Sequence, residues 1–359
     1  MNSQENFYDV IVVGAGPGGS AAAEKCAKYE LKTLLLEKEK LPRDKPCGGM
    51  CSIIENPKIC GPAITKIIEN KSDCVKFYFN GKPIYNFKYN SLLFSRKKLD
   101  YFITKRAIKS GAKVIDKCEV IDIIVNSKEV RVVSEKGIFI SKTIIGADGV
   151  NSIVAKKTGL NKGWNKNDVS LAIKSEIKMN NKEIEKRFGK NILVYIHSDF
   201  SGYGWIFPKD GCVNIGIGCR LSKADKLRDK FDNFAQQFGF EAKDVQAHMI
   251  PTELLKKSYK ERALLCGDAG GFVYSILGAG IELAIRSGKV AATVCNEAVK
   301  NNDFSLKMFK KYNSICKPLI ADIKTSSRQL KLFEFAIKCG LVNSFTINAF
   351  LKYLTKPEN

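Results

Sequence analysis

Residues Tyr8–Val13 form a near-continuous β-branched run, as expected for a strand buried on both faces of a parallel sheet. The run passes directly into Gly14-Ala15-Gly16-Pro17-Gly18-Gly19, and the small residues from Ser20 to Ala27 then read as a helix. A second strand, Thr33–Leu36, ends at Glu37. Strand, glycines, helix, strand and terminal acid in this order predict a dinucleotide-binding βαβ unit. Gly14 permits the tight turn, Gly16 lets a pyrophosphate approach the backbone, and Gly19 lets helix and strand pack closely. The helix N-terminus adds unpaired N–H groups and partial positive charge. Glu37 is placed to accept hydrogen bonds from ribose hydroxyls, but the unit alone does not decide between NAD and FAD.

The remaining sequence narrows the chemistry. With 359 residues and 45% hydrophobic content the chain is globular and divides most naturally into two domains. Its two histidines, His197 and His248, nearly exclude a His-rich metal centre and leave few members for a Ser-His-Asp or Cys-His nucleophile. The chemistry is therefore expected to belong to a bound cofactor. Lys and Arg number 59 against 37 Asp and Glu, a net charge of +22. These charges are dispersed, with Arg96-Lys97-Lys98 the longest basic cluster, and no basic block alternates with aromatics. Nucleic acid is thus not an expected partner, which leaves attraction to an anionic membrane or a compositional habit of the source.

Twelve cysteines do not make a disulfide scaffold in a chain of this size, and no secretory signal precedes the first strand. A reducing, cytoplasmic setting is expected. Cys47 and Cys51, followed by Cys60, lack a second matching pair, so no metal site is expected. No window approaches the roughly 18 uncharged apolar residues that a membrane span needs. At most the protein is peripheral on the inner face of the membrane.

Three further segments punctuate the chain. Leu41–Met50, with two prolines and Gly48-Gly49, is a loop at the carboxyl edge of the sheet, where such folds place ligands. Cys47 in this loop fills a gap beside a flat ring or takes a redox or acid role. Lys142–Ser152 is a strand into an Ala147-Asp148-Gly149 turn, and Arg262–Gly271 a strand into Gly267-Asp268-Ala269-Gly270-Gly271. Gly278-Ala279-Gly280 then precedes a long helix from Ile281 to about Lys300, whose exposed N-terminus suits the negative charge of a reduced flavin. Asp268 at the strand end is placed to bond a ribityl chain.

Together these segments resemble the flavin-dependent group that includes the para-hydroxybenzoate hydroxylase-like enzymes, flavin halogenases and geranylgeranyl reductases. Pro42-x-x-Lys45-x-Cys47-Gly48-Gly49 and Tyr203-Gly204-Trp205-Ile206-Phe207-Pro208 are similar to the PxxKxCGG and YxWxFP patterns of the geranylgeranyl reductases, including archaeal digeranylgeranylglycerophospholipid reductases. The resemblance spans roughly residues 8 to 300. It implies FAD contacts from Gly14, Ala15, Gly16, Gly19, Glu37, Lys38, Cys47, Gly48, Gly49, Arg96, Val120, Asp148, Asp268, Gly280 and Ile281. Arg96 opens a predicted helix, where its guanidinium reaches a phosphate or the flavin edge or is simply a solvated arginine. Val120 would act through its backbone.

The chain departs from the family pattern where Gly270 replaces the usual Ala and Ser275 the usual Pro. Thr252-Glu253-Leu254 also stands where the archaeal lipid reductases more often carry a glycine pair.

Alternating strands from about Val169 to Met249 predict an antiparallel sheet beneath an apolar pocket, with Pro208–Gly211 as a hairpin turn. Tyr203, Trp205 and Phe207 face one side of their strand, as a core aromatic face or, on the resemblance, as the wall of a prenyl-binding tunnel. The chain from Asp303 onward reads as helices, and Leu330–Leu354 mixes Leu, Phe and Ile with Lys331, Lys338 and Lys352. Such a tail either rests on lipid or caps the protein's own substrate domain.

The expected fold is α/β plus antiparallel β: a Rossmann-type FAD-binding domain (1–60, 92–165, 255–302), a β-sheet substrate domain (61–91, 166–254) and a helical region (303–359). The resemblance implies an FAD-dependent reductase of geranylgeranyl chains with Cys47 as the catalytic acid. Its expected partners are a prenyl-chain lipid and an external donor, NAD(P)H, a reduced deazaflavin or a ferredoxin. The alternative expectation is a flavin monooxygenase or halogenase, and behind it a non-enzymatic flavoprotein.

Overall fold

The computed structural model describes residues 7–52, 61–197 and 202–352. Cys60 and the tail beyond residue 352 lie outside them. The chain opens with β1 (Phe7–Val13), α1 (Pro17–Lys28) and β2 (Thr33–Leu36), then β3 (Met50–Ser52), β4 (Asn70–Phe79) and β5 (Lys82–Leu93). Next come α2 (Arg96–Lys109), β6 (Lys113–Ile115), β7 (Val120–Val125), β8 (Val130–Ser134), β9 (Gly137–Gly146) and α3 (Ile153–Thr158). The middle of the chain holds β10 (Val169–Lys178), α4 (Asn181–Phe188), β11 (Ile192–Ile196), β12 (Gly202–Lys209), β13 (Cys212–Arg220), α5 (Leu227–Gln236) and β14 (Gln246–Pro251). After β15 (Tyr259–Lys260) and β16 (Ala263–Leu265) the rest is helical: α6 (Ile281–Lys300), α7 (Leu306–Ile315), α8 (Lys317–Lys338) and α9 (Ser344–Lys352).

Two compact units result, one from Met1–Asp44, Lys97–Trp164 and Pro251–Lys324, the other from Lys45–Arg96, Asn165–Ile250 and Thr325–Asn359. These boundaries differ from the expected ones at both ends. The Cys47 loop and its strand β3 go with the second unit because β3 pairs with β5, and the C-terminal helices are shared between the two rather than forming a region of their own.

In the first unit β1 is central, with strand order β15-β16-β9-β1-β2-β6 and β8 joining β9 to β7. β1 runs parallel to both β2 and β9. Period-two alternation divides this strand between two cores. Val10 and Val12 face Ala22, Cys26, Ala291, Val294, Phe309 and Tyr312, whereas Ile11 and Val13 face Ile123, Val132 and Val154. The apolar run is therefore long because both faces are covered. Cys26, Cys266, Cys295 and Cys316 all sit in the first core. There α1 lies on α6 at backbone contact: a Cβ on Gly288 would fall 2.2 Å from the Gly18 carbonyl oxygen.

In the second unit the strand order is β14-β10-β13-β12-β11-β4-β5-β3. The expected antiparallel sheet is in fact mixed, since β11 and β4 run parallel. Such a pair needs a long crossover, which the segments between the two strands supply. Ile206, Ile215 and Ile217 face a core with Phe231, Phe234 and Phe188. β12 also runs on through Pro208 and Lys209, so the hairpin turn is shorter than expected and only Asp210-Gly211 turn the chain.

Candidate functional site

The first unit presents a turn shaped for a dinucleotide. Gly14 has φ +98°, and a Cβ there would lie 2.5 Å from the Ala147 carbonyl oxygen. A Cβ on Gly19 would lie 1.9 Å from the Gly14 carbonyl oxygen. Gly16 differs: its only neighbour within range is the Arg43 guanidinium at 3.7 Å, so space remains beside the backbone. Gly16 is the N-cap of α1, with no side-chain cap and no acid in the first turn. An open glycine against an uncapped helix N-terminus fits a pyrophosphate.

Glu37 is buried at the end of β2. Its Oε2 accepts from the Ala15 N–H at 2.8 Å and lies 3.3 Å from Arg43 Nε, and its Oε1 accepts from the Glu39 N–H at 3.1 Å. Each carboxylate oxygen takes about two hydrogen bonds, so Oε1 keeps capacity for a ribose hydroxyl. Lys38 is exposed. Val120 begins β7 with its side chain in the second core of this unit, which leaves only its backbone for a ligand.

Asp148 is engaged by its own turn. Its Oδ1 accepts from the Ser152 hydroxyl at 2.6 Å and its Oδ2 from the Val154 N–H at 3.1 Å, holding the start of α3. Burial pushes its carboxyl up from the ordinary range, and these hydrogen bonds offset part of the rise. Asp268 lies in a single turn after β16, with Oδ1 3.4 Å from where a Cβ on Gly280 would sit. Gly280 is the N-cap of α6 and has no side-chain cap, and Ile281 is the helix's first residue. A second uncapped N-terminus thus stands beside a carboxylate, the arrangement expected for a flavin and its ribityl chain.

The departures from the family pattern meet one another. The Ser275 hydroxyl donates to the Thr252 carbonyl at 2.7 Å, and a Cβ on Gly271 would lie 2.3 Å from the Glu253 carbonyl oxygen. A methyl on Gly270 would fall 2.8 Å from the Phe272 ring, which fills the place of the usual alanine.

The second unit carries Cys47, Arg96 and the aromatic row. Tyr203, Trp205 and Phe207 share one face of β12, with successive ring centroids 6.1 and 6.2 Å apart. The strand register sets Gly216 opposite Trp205 and Gly218 opposite Tyr203. A Cβ on Gly216 would lie 2.2 Å from the Trp205 indole, so this glycine makes room for the ring. The Cys47–Gly49 loop is laid on the end of the row: a Cβ on Gly48 would lie 2.4 Å from the Phe207 ring, and Gly49 pairs its carbonyl with the Phe94 N–H at 2.8 Å.

Asn214, fully buried on β13, ties loop to strand. Its Oδ1 accepts from the Trp205 indole N–H at 2.8 Å, while its Nδ2 donates to the Cys47 carbonyl at 3.2 Å and to Glu176 Oε1 at 3.1 Å. The ammoniums of Lys209 and Lys174 lie 3.4 and 3.6 Å from the same carboxylate oxygen. Burial raises the Glu176 carboxyl, but Lys209 and Lys174 outweigh it and hold the group below its ordinary range. Cys47 Sγ accepts from the Gly49 N–H at 3.3 Å. Burial, and then the neighbouring Cys47, push the Tyr203 phenol up. Arg96 is buried at the start of α2, which sets aside the reading of a solvated arginine.

Sequence reasoning missed Asn214, Glu176 and Arg43. Asn214 left a signal, as the polar residue sharing a strand face with Gly216 and Gly218, whereas Glu176 and Arg43 left none. No group of metal-ligating side chains occurs among the described residues.

The model of the pyridine nucleotide-disulphide oxidoreductase family matches residues 8–195. The digeranylgeranylglycerophospholipid reductase of Thermoplasma acidophilum is 31% identical over 345 residues, covering 86% of this chain and 83% of the relative. That of Methanocaldococcus jannaschii is 30% identical over 343 residues, covering 87% and 83%. A solved structure, the geranylgeranyl bacteriochlorophyll reductase-like protein from Thermoplasma acidophilum, is similar with a TM-score of 0.83 and 26% identity, covering 98% of this chain and 96% of that one.

Proposed function

The chain belongs to the geranylgeranyl reductase family of FAD-dependent oxidoreductases, and from that membership we propose that it saturates isoprenoid double bonds in geranylgeranyl chains of membrane lipids or prenyl diphosphates. FAD is its cofactor. The residues of the first unit proposed to hold it are the Gly14–Gly19 turn, Glu37, Asp268, Gly280 and Ile281. When bound, FAD supplies the hydride that one alkene carbon receives.

The observation that carries this reading is the row Tyr203, Trp205 and Phe207 with the Cys47–Gly49 loop seated on its last ring. Because Asn214 satisfies the Trp205 indole N–H from the side, the row offers a hydrocarbon chain apolar surface without an unpaired polar group. The second alkene carbon needs a proton, and an isolated trisubstituted alkene accepts hydride poorly unless protonation accompanies it in a dry pocket. Burial raises the Tyr203 phenol, so it yields its proton less readily than an ordinary phenol. Cys47 is the proposed donor.

A Cys47→Ala chain is expected to bind FAD and to reduce prenyl chains about 10²- to 10⁴-fold more slowly, the usual contribution of a positioned acid. A normal rate of hydrogen addition would remove the thiol from the mechanism. The reaction itself is tested anaerobically: strongly reduced enzyme should add hydrogen pairs to geranylgeranyl lipid, followed by lipid mass analysis. Oxygen-dependent incorporation or chlorination would instead mark a monooxygenase or halogenase. Electrons enter from an external donor, and offering a nicotinamide, a reduced deazaflavin and a reduced ferredoxin in turn identifies its class.

The C-terminal helices support a peripheral lipid contact. No helix among the described residues is long and apolar enough to cross a membrane. One side of α8 and α9 packs inward through Phe333, Ile337, Ile347 and Leu351. The helices also expose Leu332, Phe335 and Phe345, the last by 79%, and the link between them exposes Leu341, with Arg328, Lys331 and Lys338 as exposed cations in α8. The acids in α8 are Asp322 and Glu334, and Glu334 pairs with Arg220. Exposed aromatics rimmed by cations suit an anionic interface. Burying a Phe side chain contributes about 1.5–3 kcal/mol, so a Phe335→Ser/Phe345→Ser chain is expected to lose at least about tenfold in partition onto anionic vesicles. Equal sedimentation of both proteins with the vesicles would count against the contact.

A further inference from the structure

Arg43 lies between Pro42 and Lys45 of the PxxKxCGG segment, at a position that segment leaves free. Its side chain is only 13% exposed and it spans the dinucleotide turn. Nε lies 3.3 Å from Glu37 Oε2, and Nη1 donates to Asp100 Oδ2 at 3.0 Å. The third nitrogen, Nη2, is directed at Gly16, where a built Cβ would stand 3.7 Å away. Glu37 at the end of β2 and Asp100 within α2 are both buried, and a single guanidinium beside the dinucleotide turn offsets one of their two charges. The same turn is where the N–H groups of α1 await a group with two negative charges.

Without Arg43, Glu37 Oε2 beside the turn would lose its cation and keep the Ala15 N–H. A planar guanidinium can serve two carboxylates and still present a fork to a phosphate, which an ammonium cannot do.

We infer that Arg43 is a positioning residue for the diphosphate half of FAD, screening Glu37 and Asp100 and offering Nη2 to the anion beside Gly16. The inference rests on the FAD reading and is independent of the prenyl substrate. Because Arg43 is the penultimate residue of the first unit's opening segment, the loop that carries Cys47 starts directly from this anchor.

Binding is read on the apoprotein by flavin fluorescence, with ADP and adenosine as competitors. In an Arg43→Gln/Asp100→Asn chain one positive and one negative charge are removed together, so the net charge beside the turn is unchanged and Glu37 keeps the Ala15 and Glu39 N–H donors, while the phosphate ligand is lost. Loss of a charge-assisted hydrogen bond is expected to weaken FAD and ADP by about 10- to 100-fold and adenosine by less than about threefold. Arg43→Lys keeps the charge without the fork and is expected to fall between this chain and the wild type, and it serves as the test if the double variant does not fold. FAD and ADP affinities within about threefold of wild type in the folded variant would overturn the inference, as would equal weakening of ADP and adenosine, the mark of a merely structural role. Wild-type protein that binds no FAD would instead sink the cofactor reading, and prenyl turnover enters none of these measurements.

Discussion

A Gly14→Val chain is expected to retain no FAD. At φ +98° a side chain is strained wherever it points, which costs about 1–2 kcal/mol. Its Cβ would also stand 2.5 Å from the Ala147 carbonyl oxygen and 2.9 Å from the Asp148 Cα. Neither atom can give way easily. The Ala147 N–H is paired with the Val13 carbonyl at 2.8 Å, and the Gly14 N–H with the Leu36 carbonyl at 2.7 Å. Relief therefore requires unpairing the strand ends on one side of the turn or the other, adding about 1–3 kcal/mol of overpacking. The combined loss corresponds to at least about 30-fold in any affinity that depends on the turn. The flavin absorbance per chain, with the unfolding midpoint in excess FAD, reads both effects. Gly81→Val is the control: Gly81 also has positive φ, +78°, but nothing lies within 4 Å of its Cβ position, so only the strain remains. Flavin content near one per chain in Gly14→Val would show that the turn is not the binding element.

Asn214→Leu is expected to keep the flavin and lose prenyl reduction. The substitution nearly conserves volume but strips three hydrogen bonds from a fully buried position. The Trp205 indole N–H and the Cys47 carbonyl each lose a partner, at about 1–3 kcal/mol apiece. Glu176 loses a donor but keeps Lys209 and Lys174. The Cys47 loop then loses its tether to β13 and keeps the Phe207 and Phe94 contacts, and a displacement of about 1 Å at a reacting group can cost about 100-fold in rate. Urea denaturation and the anaerobic prenyl assay give the two readouts. An unchanged rate would mean that the loop does not need its Asn214 tether.

Much of the first unit was legible because its determinants are local. The β-branched run, the spaced glycines and Glu37 lie within one short βαβ stretch, and the close approach of Gly19 to the Gly14 carbonyl is made inside it, although Gly14 itself meets Ala147 from the distant end of β9. The aromatic row was legible for the same reason, as three residues at period two. The supports of the site were not. Asn214 meets Cys47 across 167 residues and Arg43 meets Asp100 across 57, and nothing in a single sequence registers such pairings. Asp148 shows the opposite limit: its Gly-Asp turn was visible, but whether the carboxylate faces a ligand or its own helix depends on the Ser152 hydroxyl, which sequence alone does not orient.

The four cysteines of the first core bear on the working life of the protein. Burial pushes Cys295 and Cys316 up to about 12 and raises Cys26 and Cys266 well above the ordinary thiol range. Burial thus disfavours the thiolate in this core, and the thiolate is the form that peroxide attacks. A reduced flavin that met oxygen would release peroxide, and burial in this core disfavours the form of sulfur that peroxide attacks. Among the described cysteines Cys339 alone is fully exposed, and Cys47, Cys74 and Cys212 are half-buried, so an oxidant or an alkylating probe reaches these before the core is opened.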